Sequence, residues 1–175
     1  MKLKKLLALA LAGVLMLTLL TGCSGSGTGE DRLAAKAVAD ILKPVYPNAE
    51  VSYSVPALPR TIRPAFTPDW FLRDWEGNIY ALDRDFLTDS GQRLKGFLKD
   101  SLKAYEQNSS VYFFAFESTG MSASEQAERF NRNGTPSLNV HYKDMSPSAT
   151  TKLRVGVCHK TVAGREYCLV VVVLA

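Results

Sequence analysis

Histidine and cysteine are scarce in this chain of 175 residues: only His141 and His159, and only Cys23, Cys158 and Cys168, are present. No CxxC, HExxH, zinc-finger or EF-hand spacing occurs, so neither a dedicated all-protein metal site nor a cofactor is expected. The sequence also lacks a Gly-x-Ser-x-Gly elbow and a Cys-Gly-type nucleophile motif, which leaves no complete constellation for nucleophilic catalysis. Strong charge of either sign is missing too. The formal +4 falls to about +1 once Lys2, Lys4 and Lys5 are set aside, too little for a nucleic-acid footprint. Glycines alternate through residues 24–29, but no strand precedes them and the spacing is not GxGxxG, so they form no nucleotide loop.

One long hydrophobic run does occur. Lys2, Lys4 and Lys5 precede an apolar stretch from Leu6 to Leu20 that ends in Leu20-Thr21-Gly22-Cys23. Charged head, apolar core and small-residue end follow one another as in an export signal, and the run is short of the ~20 residues a membrane span needs. The last four residues match the bacterial lipobox, in which the cysteine is acylated and becomes the new N-terminus. This resemblance implies a secreted protein held by lipid on Cys23 at the extracytoplasmic face of a cell membrane. Residues 1–22 are then the signal, 23–29 the lipidated cysteine and a flexible tether, and 30–175 a single globular domain. Six tether residues at ~3.5 Å each reach at most about 20 Å, so the domain is expected close to the bilayer.

Beyond the tether the pattern alternates between the two periods. Leu33, Ala34, Ala37, Val38, Ile41 and Leu42 share a helical face, with Pro44 ending the run. Residues 51–55 alternate like a half-buried strand. Pro56, Pro59, Pro64 and Pro68 then punctuate an irregular stretch leading to Trp70 and Trp75, and Ile79–Leu82 reads as a short strand paired back on Phe71 and Leu72. Trp70, Trp75 and Tyr80 are core-packing residues or, alternatively, aromatic contacts for a sugar or peptide. Thr88 or Asp89 opens a second helix with Leu94, Phe97, Leu98, Leu102 and Tyr105 on one stripe. Val111–Glu117 is apolar at nearly every position, as in a strand covered on both faces. Ser122-Ala-Ser-Glu125 has the form of a capping box opening a third helix.

Residues 138–142 read as extended, and the chain ends in a hairpin. A three-residue loop Val162-Ala163-Gly164 would set Thr161 opposite Arg165 and Cys158 opposite Cys168, close enough for a disulfide after a small twist. The fold class expected is α+β, an α-β-α sandwich on a small, mainly antiparallel sheet.

Residues 111–175 resemble the CAP (SCP-like) superfamily: a strand ending in Glu117, a capped helix from Ala123, a histidine at 141, then Arg154-Val155-Gly156-Val157 and a return strand Tyr167-Cys168-Leu169-Val170. The resemblance implies an α-β-α sandwich and a groove in which Glu117 and His141 stand for two of the family's four metal-groove residues. The family's first histidine has no counterpart here. The residues therefore point to a non-catalytic domain binding a cell-envelope polymer, a peptide or a protein, with a CAP-like hydrolase or metal-binding domain using Glu117 and His141 as the alternative.

Overall fold

A computed structural model of the chain describes residues 29–77, 79–83, 88–107, 109–131, 137–141 and 152–175. The signal, Cys23, most of the tether and the loop at 146–151 lie outside the described residues, as does the side chain of Tyr80. The elements follow in the order α1 (Gly29–Leu42), β1 (Glu50–Ser52), β2 (Phe71–Arg73), β3 (Ile79–Leu82), α2 (Asp89–Leu102), β4 (Ser110–Glu117), α3 (Ala123–Asn131), β5 (Ser137–His141), β6 (Lys152–Val162) and β7 (Arg165–Leu174). The fold is α+β. A five-stranded sheet runs β1-β6-β7-β4-β5, and β2 and β3 form a separate two-stranded pair. The large sheet is antiparallel except where β1 lies parallel to β6.

Side-chain alternation along β4, β6 and β7 divides the core between the two faces of the sheet. Val111, Phe113, Cys158, Tyr167, Leu169, Val171 and Val173 point to one face. There they meet Leu94, Leu98 and Leu102 of α2 together with Leu58, Ile62, Phe66, Trp70 and Phe71. Phe116, Leu153, Val155, Val157, Cys168, Val170, Val172 and Leu174 point to the other, under Ala34, Ala35, Val38 and Ala39 of α1 and Ala127 and Phe130 of α3. Strand β7, buried from Tyr167 through Leu174, serves both cores, which is why its sequence runs apolar without alternating.

The expected caps form. Thr88 Oγ1 accepts from the Gly91 N–H at 3.0 Å, and Ser122 Oγ donates to Glu125 Oε2 at 2.7 Å while the Ser122 N–H donates to the same oxygen at 2.7 Å. The proline-rich stretch becomes a wide turn, Leu58–Ile62, that runs into a helical turn at Arg63–Ala65. Val55 and Leu58 press onto β6 where Gly156 leaves room; a Cβ there would lie 2.8 Å from Val55 Cβ.

Two expectations change. The buried stripe of α1 is Asp31, Ala34, Ala35, Val38 and Ala39, while Leu33 is 62 % exposed. Small residues on that stripe let the helix sit close to the sheet, and Asp31 reaches β6 directly. The hairpin closes through a two-residue loop, Ala163 (φ 50°) and Gly164 (φ 76°), both left-handed, so Val162 pairs with Arg165. This turn matches strand twist better than the wider loop. The shift of one residue sets Cys158 opposite Leu169 and His159 opposite Cys168. Cys158 and Cys168 consequently face opposite cores, and both are free thiols rather than the expected disulfide.

Candidate functional site

The residues singled out from sequence do not converge. His141 pairs with Val111 at the start of β4, whereas Glu117 pairs with Tyr167 at its end. Six strand positions separate them, roughly 20 Å at a rise of ~3.4 Å per residue, so they do not share a groove. Glu117 Oε2 accepts from Arg165 Nη1 at 3.2 Å, and its other oxygen accepts from Thr119 Oγ1 at 3.4 Å. His141 Nδ1 lies 3.7 Å from Glu106 Oε1, and its buried Nε2 has no hydrogen-bond partner among the described residues.

Nor do the aromatics form a patch. Trp70 is buried and stands edge-on to Phe66 at 5.3 Å and Phe113 at 5.9 Å, which makes it a core residue. Trp75 sits in the β2–β3 turn and is 91 % exposed.

Among the described residues, a dense polar arrangement surrounds the other histidine, at the hairpin end of the sheet. The His159 side chain is nearly buried on the face it shares with Val157, beneath the first turn of α1. Asp31 Oδ1 accepts from the His159 backbone N–H at 3.1 Å and lies 2.6 Å from ring Nδ1. Ring Nε2 lies 2.9 Å from Gln126 Oε1 of α3, and Gln126 Nε2 donates to Met121 O at 3.2 Å, which holds the amide with its oxygen toward the ring. Both ring nitrogens face acceptors, an arrangement that suits the doubly protonated imidazolium.

Burial alone draws the His159 pKa down, but the hydrogen bond and charge of Asp31 and the charges of Glu166 and Glu30 outweigh it and leave it raised. Glu30, His159 and Glu166 each offer a ligand atom, all within 4.8 Å of one another. Glu166 is fixed by Ser118, whose hydroxyl donates to Oε1 at 3.2 Å and whose N–H donates to the Glu166 carbonyl at 2.8 Å.

No sequence motif singles out His159, because its partners lie on α1 and α3, far along the chain. One local signal pointed to it. Asp31 is in phase with Ala34, Ala35, Val38 and Ala39, and an aspartate on a buried helical stripe demands a partner.

No protein-family model matches the chain, and neither does any curated protein or solved structure.

Two further features bear on chemistry. Burial, with the charge of Asp31 adding to it, pushes the Cys158 thiol up to about 12, and burial holds the Cys168 thiol well above its ordinary range. Both are unreactive core residues in the folded chain. On the opposite face of the sheet an open cleft of about 280 Å³ is lined by Thr67, Asp69, Trp70, Ser90, Arg93 and Phe97 among others. It offers an aromatic wall, two hydroxyls and one charge of each sign.

Proposed function

We propose that this chain is a lipid-anchored, extracytoplasmic bacterial lipoprotein whose single domain binds a cell-envelope component, a peptide or a protein without catalysing a reaction. The carrying observation is the charged head, apolar run and Leu20-Thr21-Gly22-Cys23 in succession, followed so closely by α1 beginning at Gly29. A domain that starts six residues after an acylated cysteine works at the membrane surface. Among the described residues no helix is long and apolar enough to cross a membrane, and in this reading attachment comes from the lipid alone. The cleft beside Trp70 and Phe97 is the binding surface that fits this role. The separation of Glu117 from His141 removes the geometric support for a CAP-like hydrolase or metal groove built on that pair.

Expression of the full chain in bacteria tests the anchor. The wild-type protein is expected in the detergent phase, with the mass of its N-terminal peptide showing lipid on Cys23, and Cys23→Ser is expected to leave that phase. A mature chain carrying no lipid on Cys23 would sink the anchor. Binding is tested separately by co-sedimenting the detergent-solubilised protein with cell-wall sacculi, where Phe97→Ala combined with Arg93→Glu should reduce the bound fraction by about tenfold. Equal sedimentation of the variant would remove the cleft from the proposal.

A further inference from the structure

We propose that Glu30, His159 and Glu166 form a binding site for a divalent transition-metal ion, with Zn²⁺ the best match to one imidazole nitrogen and two carboxylates. The three residues come from α1, β6 and β7. No spacing motif reveals them, because they are brought together only when the first turn of α1 seats on the hairpin end of the sheet. Their ligand atoms lie within 4.8 Å of one another. A tetrahedral zinc with bonds of ~2.0–2.2 Å holds its donors about 3.3–3.6 Å apart, so carboxylate movements of up to about 1.5 Å close the set. Glu30 is exposed and Glu166 half-buried, which leaves Glu30 free to rotate and the site open to solvent. Three protein ligands leave a fourth position for water or for an oxygen of a bound molecule.

The surroundings favour a cation. Asp31, Glu166 and Glu30 all act on His159 as anions, so three carboxylates face a single imidazolium and the cluster carries an excess of negative charge. Asp31, at 2.6 Å from Nδ1, occupies the place of the carboxylate that orients a metal-bound histidine from behind. In this proposal Nδ1–H stays with Asp31 and the ion takes Nε2 in place of Gln126. Metal binding then replaces the Nε2 proton, which leaves to solvent, and the buried Gln126 amide, its oxygen now 2.9 Å from Nε2, turns away from the ring and gives up its bond to Met121 O. One proton leaves as one divalent ion enters, so the negative cluster becomes less negative by one charge. The site does not depend on the lipid anchor.

The experiment is calorimetric titration of Zn²⁺ into the metal-stripped full chain in detergent micelles, in two buffers of different ionisation enthalpy. One saturable site per chain with release of about one proton is expected. Glu30→Gln and Glu166→Gln keep the shape of each side chain and leave the buried Asp31–His159 pair in place. Each is expected to weaken binding by ~10-fold or more, while thermal unfolding in chelator confirms that the variants are folded. His141→Ala is expected to bind as the wild type does. Absence of a saturable site would overturn the proposal, as would affinities unchanged in both glutamine variants or lost in His141→Ala.

Discussion

At the scale of single residues, the Asp31–His159 pair joins the first turn of α1 to the sheet. Its side chains are 4 % and 10 % exposed, so removing one partner leaves the other buried without its charge complement. Asp31→Ala is expected to destabilise the fold by about 3 kcal/mol, and Asp31→Asn by less, because the amide oxygen still accepts from Nδ1–H. The pair also sets a pH dependence. The folded-state pKa of His159 is raised above the ordinary 6.5. Its stabilisation is therefore fully present below about 6.5 and is lost as pH rises through the folded value. In chelator, denaturant unfolding of the wild type should show stability falling as pH rises above 6.5, and His159→Gln should flatten this part of the profile. A His159 ring proton titrating by NMR below 6.5 would contradict the assignment. Little of this was legible in the sequence. Glu117 and His141 stood out because a family pattern drew attention to them, whereas His159 acquires its meaning from Asp31, a contact across 128 positions. Only the phase of Asp31 on its helix carried a local trace of that contact.

Elements whose determinants are local were legible. The Thr88 cap, the Ser122–Glu125 box and the doubly covered strand β4 each follow from residues within one turn or one strand, and each forms as expected. The hairpin was not, because Val162-Ala163-Gly164 and Ala163-Gly164 are both plausible loops on composition. They differ by one residue, and that residue reassigns every side chain of β6 relative to β7. A fit outside the hairpin accompanies the shorter loop: Gly156 must lie on the face crossed by Val55 and Leu58. In the observed pairing it does, opposite Val171. A methyl group at 156 would stand 2.8 Å from Val55 Cβ and 3.2 Å from Leu58 Cδ2, so Gly156→Ala is expected to cost about 1–3 kcal/mol through overpacking. Val55→Ala in the same chain keeps Cβ but removes Cγ2, which would lie 3.1 Å from the added methyl, and should recover part of that loss. Strictly additive costs in a double-mutant cycle would show that the two positions are not in contact.

At the scale of the whole molecule, the two helical layers meet at one shared wall. Leu169, Val171 and Val173 belong to the core under α2, while Val170, Val172 and Leu174 belong to the core under α1 and α3. Neither core can open without exposing one side of β7, and pairing to β4 and β6 along its length ties the two sides together. The molecule should therefore unfold as one unit despite having two cores. Its cysteines supply the probes, since Cys158 lies in the first core and Cys168 in the second, each fully shielded in the folded state. In a Cys23→Ser background, Cys168→Ala leaves only the Cys158 thiol and Cys158→Ala leaves only that of Cys168. Thiol labelling through a urea titration should give, in each variant, the midpoint at which that variant's far-UV circular dichroism is lost. If one thiol became reactive well before its variant lost secondary structure, the layer covering it would be an independently opening unit. The shared strand would then not couple the two halves.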